Sequence, residues 1–217
     1  MKKISAILIL LLMCSCNYDN KKEFEQIDRN DIAGYELFIM KYPNSPFVED
    51  AKERISAIKR CKEMIAEQAE RQRFLNNSLA TGSKPYSEWY GNGFYFDDYT
   101  PHSQIKVKAP YNSDVIVIVR YNNQNGMVAG HSYIQAGDES TIYLKNGNTY
   151  QTFFYYGKGW NPGKQMKNGV FGGFVSGEAF SKDGSPSYLK DNILKYELIL
   201  SQDGNFSTQG SSENEIF

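Results

Sequence analysis

Two histidines, His102 and His131, three cysteines, Cys14, Cys16 and Cys61, and scattered acidic residues are the groups that could carry chemistry in this 217-residue chain. Asp97, Asp98 and His102 follow the order Asp-Asp-x-x-x-His, which offers the oxygen and nitrogen donors that a divalent metal takes. No fourth donor or second cluster accompanies them, so the reading is a solvated loop and no metal is expected. His131 stands between Gly130 and Ser132 in an expected strand, where packing across strands is its plain role. The chain has no Gly-x-Ser-x-Gly elbow, no His-Glu-x-x-His and no phosphate-cradling Gly-Lys-Ser/Thr. Gly157-Lys158-Gly159-Trp160 lacks the spacing and the hydroxyl of a phosphate loop. Carboxylates distant in sequence can converge on a cleft, but nothing singles out a pair. The expectation is a protein that is not an enzyme and takes no cofactor.

The aromatic residues are the stronger lead. Phe, Trp and Tyr make up 14% of the chain, which is high for a globular protein and suits half-buried strands. Trp89, Tyr90, Phe94 and Tyr95, followed later by Tyr155, Tyr156 and Trp160, are candidates for an exposed stacking platform for a sugar or a peptide. The favoured reading is that the same rings cap the open ends of a β-sandwich.

Positioning begins with the N-terminus. Met1-Lys2-Lys3 is a short basic start, and Ile4–Met13 is an apolar run long enough for a signal-peptide core but too short to span a bilayer. The run ends in Met13-Cys14-Ser15-Cys16, which resembles a bacterial lipobox, a small residue followed by the cysteine that is lipidated. The resemblance implies removal of residues 1–15 and lipidation of Cys16, with Ser15 at the small position; Cys14 fits less well because bulky Met13 precedes it. Diacylglycerol and palmitate chains on Cys16 would anchor the protein at about 0.8 kcal/mol per buried methylene. Asn17, by similarity to the sorting habit of Gram-negative lipoproteins, points to the outer membrane, facing either side. Loss of Lys2 and Lys3 leaves 22 basic residues of 24 against 25 acidic ones, a mature charge of −3. That balance gives no footprint for nucleic acid. With Cys14 removed and Cys16 lipidated, Cys61 is the one free thiol, so no disulfide framework is expected, and a small helical hydrophobe is the reading for it.

Residues 16–80 read as a helical stem and linker. Ile32, Tyr35, Phe38 and Ile39 line one helix face; Pro43 breaks it, Ser45 can cap a second helix, and Pro46 suits its first position. That second helix carries Phe47, Ala51, Ile55, Ile58, Ile65 and Ala69 in a stripe and is expected to run to about Phe74. The segment from Tyr35-Glu36-Leu37-Phe38 through Tyr42-Pro43-Asn44-Ser45-Pro46 to Ala51–Ile55 resembles part of a tetratricopeptide-type repeat in the phrasing of periplasmic assembly lipoproteins. With one copy it implies a hairpin rather than a solenoid. Residues 76–83 are polar and rich in breakers and read as the linker.

Residues 81–217 read as an antiparallel β-sandwich, making the whole chain α+β. Ile105, Val107 and Ala109 alternate with polar residues, as in a half-exposed strand. Val115-Ile116-Val117-Ile118-Val119 is apolar throughout and should be central, covered on both faces. Met127–Ile134, Ser140–Leu144, Thr149–Tyr156 and Leu194–Ser201 supply further strands, separated by Asn-Gly and Gly-Asp turns. Ile134-Gln135-Ala136-Gly137 and Asn146-Gly147-Asn148-Thr149-Tyr150 are similar to segments of transthyretin-like sandwich domains. Gly82–Tyr86, Tyr155–Pro162 and Gly172-Gly173-Phe174 look like an uncharacterised C-terminal domain of bacterial lipoproteins and some J-domain proteins; it implies no established activity, and the His-Pro-Asp of a J domain is absent. The functional expectation is a lipid-anchored envelope module that binds another protein without catalysis, with glycan binding through the aromatics as the alternative.

Overall fold

The computed structural model describes residues 20–97, 99–122, 126–199 and 208–217. The expected leader, Cys16 and Asp98 lie outside the described residues. The chain divides into two compact units, residues 1–70 and 71–217.

In the first unit, helix α1 (residues 20–26) precedes α2 (Ile32–Lys41) and α3 (Val48–Phe74), whose last turn belongs to the second unit. Asp31 caps α2 by accepting the Gly34 N–H at 3.0 Å, and α2 ends where Tyr42 N–H reaches Phe38 O, just before Pro43. Ser45 Oγ accepts the Phe47 N–H at 3.2 Å, ordering the entry to α3. Phe24, Tyr35, Phe38, Ala51 and Ile58 form the core. Arg54 stacks over Phe24 at 4.6 Å and donates to the Tyr35 hydroxyl at 2.9 Å. Beyond Ile58 the stripe read from the sequence stops being buried, and Met64 and Ile65 are exposed.

The second unit is built on two sheets. Its strands are β1 (His102–Lys108), β2 (Asp114–Tyr121), β3 (Val128–Ile134), β4 (Glu139–Lys145), β5 (Asn148–Gln165), β6 (Phe171–Asp183), β7 (Ser187–Leu189), β8 (Ile193–Glu197) and β9 (Thr208–Gly210). Short helices α4 (Ser87–Tyr90) and α5 (Glu213–Ile216) flank them. The smaller sheet has the order β4-β1-β8; the larger runs β3-β2-β5-β6-β9, with β7 also on β5. The pairings are antiparallel except that β1 runs parallel to β8, with Gln104 opposite Ile193. The sequence therefore has the class right, α+β with helices followed by sheets, while β6, β7 and β9 are additions to what it showed.

β2 explains the architecture. Its uninterrupted β-branched run lies between β3 and β5, and Val115 to Val119 are all fully buried. Val115, Val117 and Val119 face the smaller sheet, meeting Ile105, Val107, Ile142 and Leu144 in the core between the sheets. Ile116 and Ile118 point the other way, into a second core with Tyr133, Tyr155, Trp160 and Phe174. Tyr86, Ile216 and Phe217 close that outer core.

Residues 76–83 are held against the larger sheet. Asn77 exchanges main-chain and side-chain hydrogen bonds with Trp160 at 2.8 and 2.6 Å, and Ser83 O and Gly82 N pair with Tyr133 at 2.8 Å each. Asp114 accepts from Ser78 Oγ at 2.9 Å, from the Ala136 N–H at 2.8 Å and from the Tyr133 hydroxyl. Burial, followed by the hydrogen bond to Asp114, raises the Tyr133 pKa, so it stays protonated as the donor.

Candidate binding cleft at the edge of strand β3

Strand β3 ends the path of the larger sheet, and it is buried from Ala129 to Ile134. Tyr133 turns its main-chain groups away from β2 to pair with residues 82 and 83. Strand alternation points the N–H and C=O of His131 the same way, and they have no main-chain partner among the described residues. They face a cavity of about 150 Å³ between residues 82–84, residues 92–96 and β4. Its walls are Phe94, Phe96 and Tyr143, and its polar groups include Lys84, His131 and the Ser132–Ser140 hydroxyl pair, 2.8 Å apart.

Each wall has a local cause. Tyr143 occupies an outward position of β4, where alternation sends Ile142 and Leu144 to the core. Phe96 packs on the Tyr143 ring at 4.3 Å and on His102 at 4.4 Å, and it lies nearly parallel to Phe94 at 6.3 Å. His102 donates from Nδ1 to Thr100 O at 2.9 Å, which leaves the ring as part of this aromatic wall. The Lys84 ammonium donates to Asn92 O, tying the 92–96 segment to residue 84.

His131 is buried, and its Nε2 accepts the Tyr86 N–H at 3.0 Å. Burial lowers its pKa to about 4, so the ring is neutral at pH 7 and its proton sits on Nδ1. Nδ1 has no hydrogen-bond partner. The cleft presents aromatic walls, the Ser132–Ser140 hydroxyl pair and an ammonium with donors to spare. It has no nucleophile paired with a base. No group of three or more His, Cys, Asp or Glu is placed to hold a metal among the described residues. Asp97 instead turns back on its own loop, accepting from Thr100 Oγ1 at 2.6 Å and the Tyr99 N–H at 3.1 Å.

The seven aromatic candidates do not form one platform, and three of them require correction. Tyr155, Tyr156 and Trp160 are 0%, 7% and 3% exposed because β5 is central to the sheet and covered on both faces. Trp160 packs among Tyr86, Tyr133 and Phe174, and Tyr156 faces the core between the sheets. The Tyr155 hydroxyl accepts the Phe174 N–H at 2.8 Å and donates to Glu178, so it is occupied within the fold. Of the earlier four, Phe94 lines the cleft, Tyr90 is half-buried edge-on to His131, and Tyr95 is 88% exposed. Trp89 is separate; it pairs with exposed Phe171 at 6.3 Å. The sequence reading passed over Lys84, His131 and Tyr143 as site residues. Tyr143 alone carried a visible signal, an aromatic at an outward strand position.

The fold is α+β, with a helical unit and a two-sheet unit that carries a small cleft walled by Phe94, Phe96 and Tyr143. Compared with known proteins, the chain matches no family model, none of the curated proteins and none of the solved structures. No described helix is long and apolar enough to cross a membrane.

Proposed function

We propose that this protein is a non-enzymatic, lipid-anchored module of the bacterial envelope, held at the outer membrane through Cys16, and that it binds another protein. The observation that supports the binding reading is the cavity of about 150 Å³ beside strand β3, walled by Phe94, Phe96 and Tyr143 with Lys84 at its rim. The anchor rests on the leader and its Met13-Cys14-Ser15-Cys16 ending.

Affinity capture from envelope extract checks both parts. Full-length protein is expected to recover a partner that a Phe96→Ala/Tyr143→Ala variant with unchanged circular dichroism does not, and Cys16→Ser is expected to leave the membrane fraction. Equal recovery by the cleft variant, or no partner above the Cys16→Ser control, would count against the reading.

A further inference from the structure

The outward face of the smaller sheet adjoins the cleft and carries an unbalanced charge. Its rungs follow from the register: Tyr143, Gln104 and Ile193 in one, Thr141, Lys106 and Lys195 in the next, and Glu139, Lys108 and Glu197 in the third. The third rung is neutralised in place, with Lys108 bonded to Glu197 at 3.1 Å. The middle rung is not. Lys106 and Lys195 stand directly opposite on neighbouring strands, about 4.8 Å apart by strand spacing. Neither ammonium has an ion pair among the described residues. Like charges directly opposite destabilise a sheet, so this rung costs stability in a chain whose overall charge is negative.

Thr141, the first residue of that rung, also lines the cleft. Three ammonium groups, Lys84 at the cavity rim and Lys106 with Lys195 on the adjoining face, therefore border the cavity and the face beside it. The cavity adds the Ser132–Ser140 hydroxyl pair. All of these can donate to an anionic acceptor. At about 150 Å³ the cavity has room for roughly five waters, the size of one short side chain rather than a drug-sized ligand.

Resting on the binding reading above, we infer that the partner presents an extended acidic segment: one Asp or Glu side chain enters the cavity toward Lys84, and a following carboxylate lies between Lys106 and Lys195. A polypeptide suits the site better than an acidic glycan because a cavity of about 150 Å³ takes a short carboxylate side chain more readily than a sugar ring with its hydroxyls.

Fluorescence anisotropy with full-length protein in detergent micelles and a fluorescein-labelled oligoglutamate peptide tests this. Saturable binding is expected that weakens with added salt. Lys106→Glu/Lys195→Glu is expected to weaken it about tenfold or more, the consequence of reversing charge complementarity at a contact. Lys84→Gln should weaken it as well, Lys106→Arg/Lys195→Arg should retain it, and reversing exposed Lys167 on the β5–β6 connection should leave it unchanged. All these lysines are on the surface or the cavity rim, and matching thermal midpoints show that the fold is intact. Absence of saturable binding, or indifference to the Lys106/Lys195 reversal, overturns the inference. Tighter binding of an oligogalacturonate of equal charge replaces the polypeptide with a glycan and overturns it too. Should envelope capture depend on Phe96 and Tyr143 but not on the lysines, the binding reading stands and the acidic segment falls.

Discussion

At the scale of single residues, His131 is a buried acceptor. Its Nε2 fixes the Tyr86 main chain and so the start of the segment that roofs the outer core. Keeping the ring neutral has a consequence for stability. The folded pKa is about 4 against an ordinary 6.5, so as pH falls below 6.5 the unfolded chain takes up a proton that the folded chain refuses. The contribution is complete above about pH 6.5 and is lost as pH falls toward 4, amounting to on the order of 3 kcal/mol. Urea unfolding at about pH 7.5 and about pH 5 should therefore show a stability difference that shrinks in His131→Gln, whose amide oxygen can still accept the Tyr86 N–H. An unchanged difference would mean that carboxylates elsewhere dominate the acid response.

At the scale of elements, β5 joins the halves of the larger sheet, pairing with β2 through residues 150–157 and with β6 from 153 to 165. Gly157 is where this works only without a side chain, since a Cβ there would collide with the Cβ of Phe174. Gly157→Ala is expected to cost about 1–3 kcal/mol, the range for overpacking against atoms that cannot yield. A lowered thermal midpoint relative to Gly163→Ala, where the nearest atom is 3.5 Å away, checks it. The sequence shows some of these elements plainly and hides others. β2 is legible because five apolar β-branched residues in a row suit only a strand buried on both faces. β6 is not, because Gly172, Gly173 and Gly177 with polar neighbours read as loop, and only its partner β5 makes it a strand. The parallel partner of β1 is equally hidden, since pairing across such a separation leaves no local trace. Among site residues, Phe94 was visible as an aromatic before the sandwich. Tyr155, Tyr156 and Trp160 misled because a run of aromatic residues has the same composition whether it faces water or a second core.

At the scale of the whole second unit, the order of assembly follows from the register. β2, β3 and β5 are near neighbours in sequence and can pair as the chain is made, whereas the smaller sheet lacks its third strand until residues 193–197 arrive. Closing contacts between distant segments carries a loop entropy that local hairpins avoid. Pulse-labelled hydrogen exchange during refolding should protect the amides of Val117 and Tyr155 before those of the β8 strand that bond to β1, such as Tyr196. Simultaneous protection would place the two sheets in one cooperative step.

The same parallel pairing sets a hazard for a chain that must first be made and moved. Until β8 docks, β1 offers a bare strand edge on that side, with Ile105 and Val107 behind it. A second copy in the same state carries the missing strand, so two incomplete chains can complete each other by exchange. Crowded, slow maturation should therefore yield swapped pairs before it yields amorphous precipitate, and the partner traded between them would be β8.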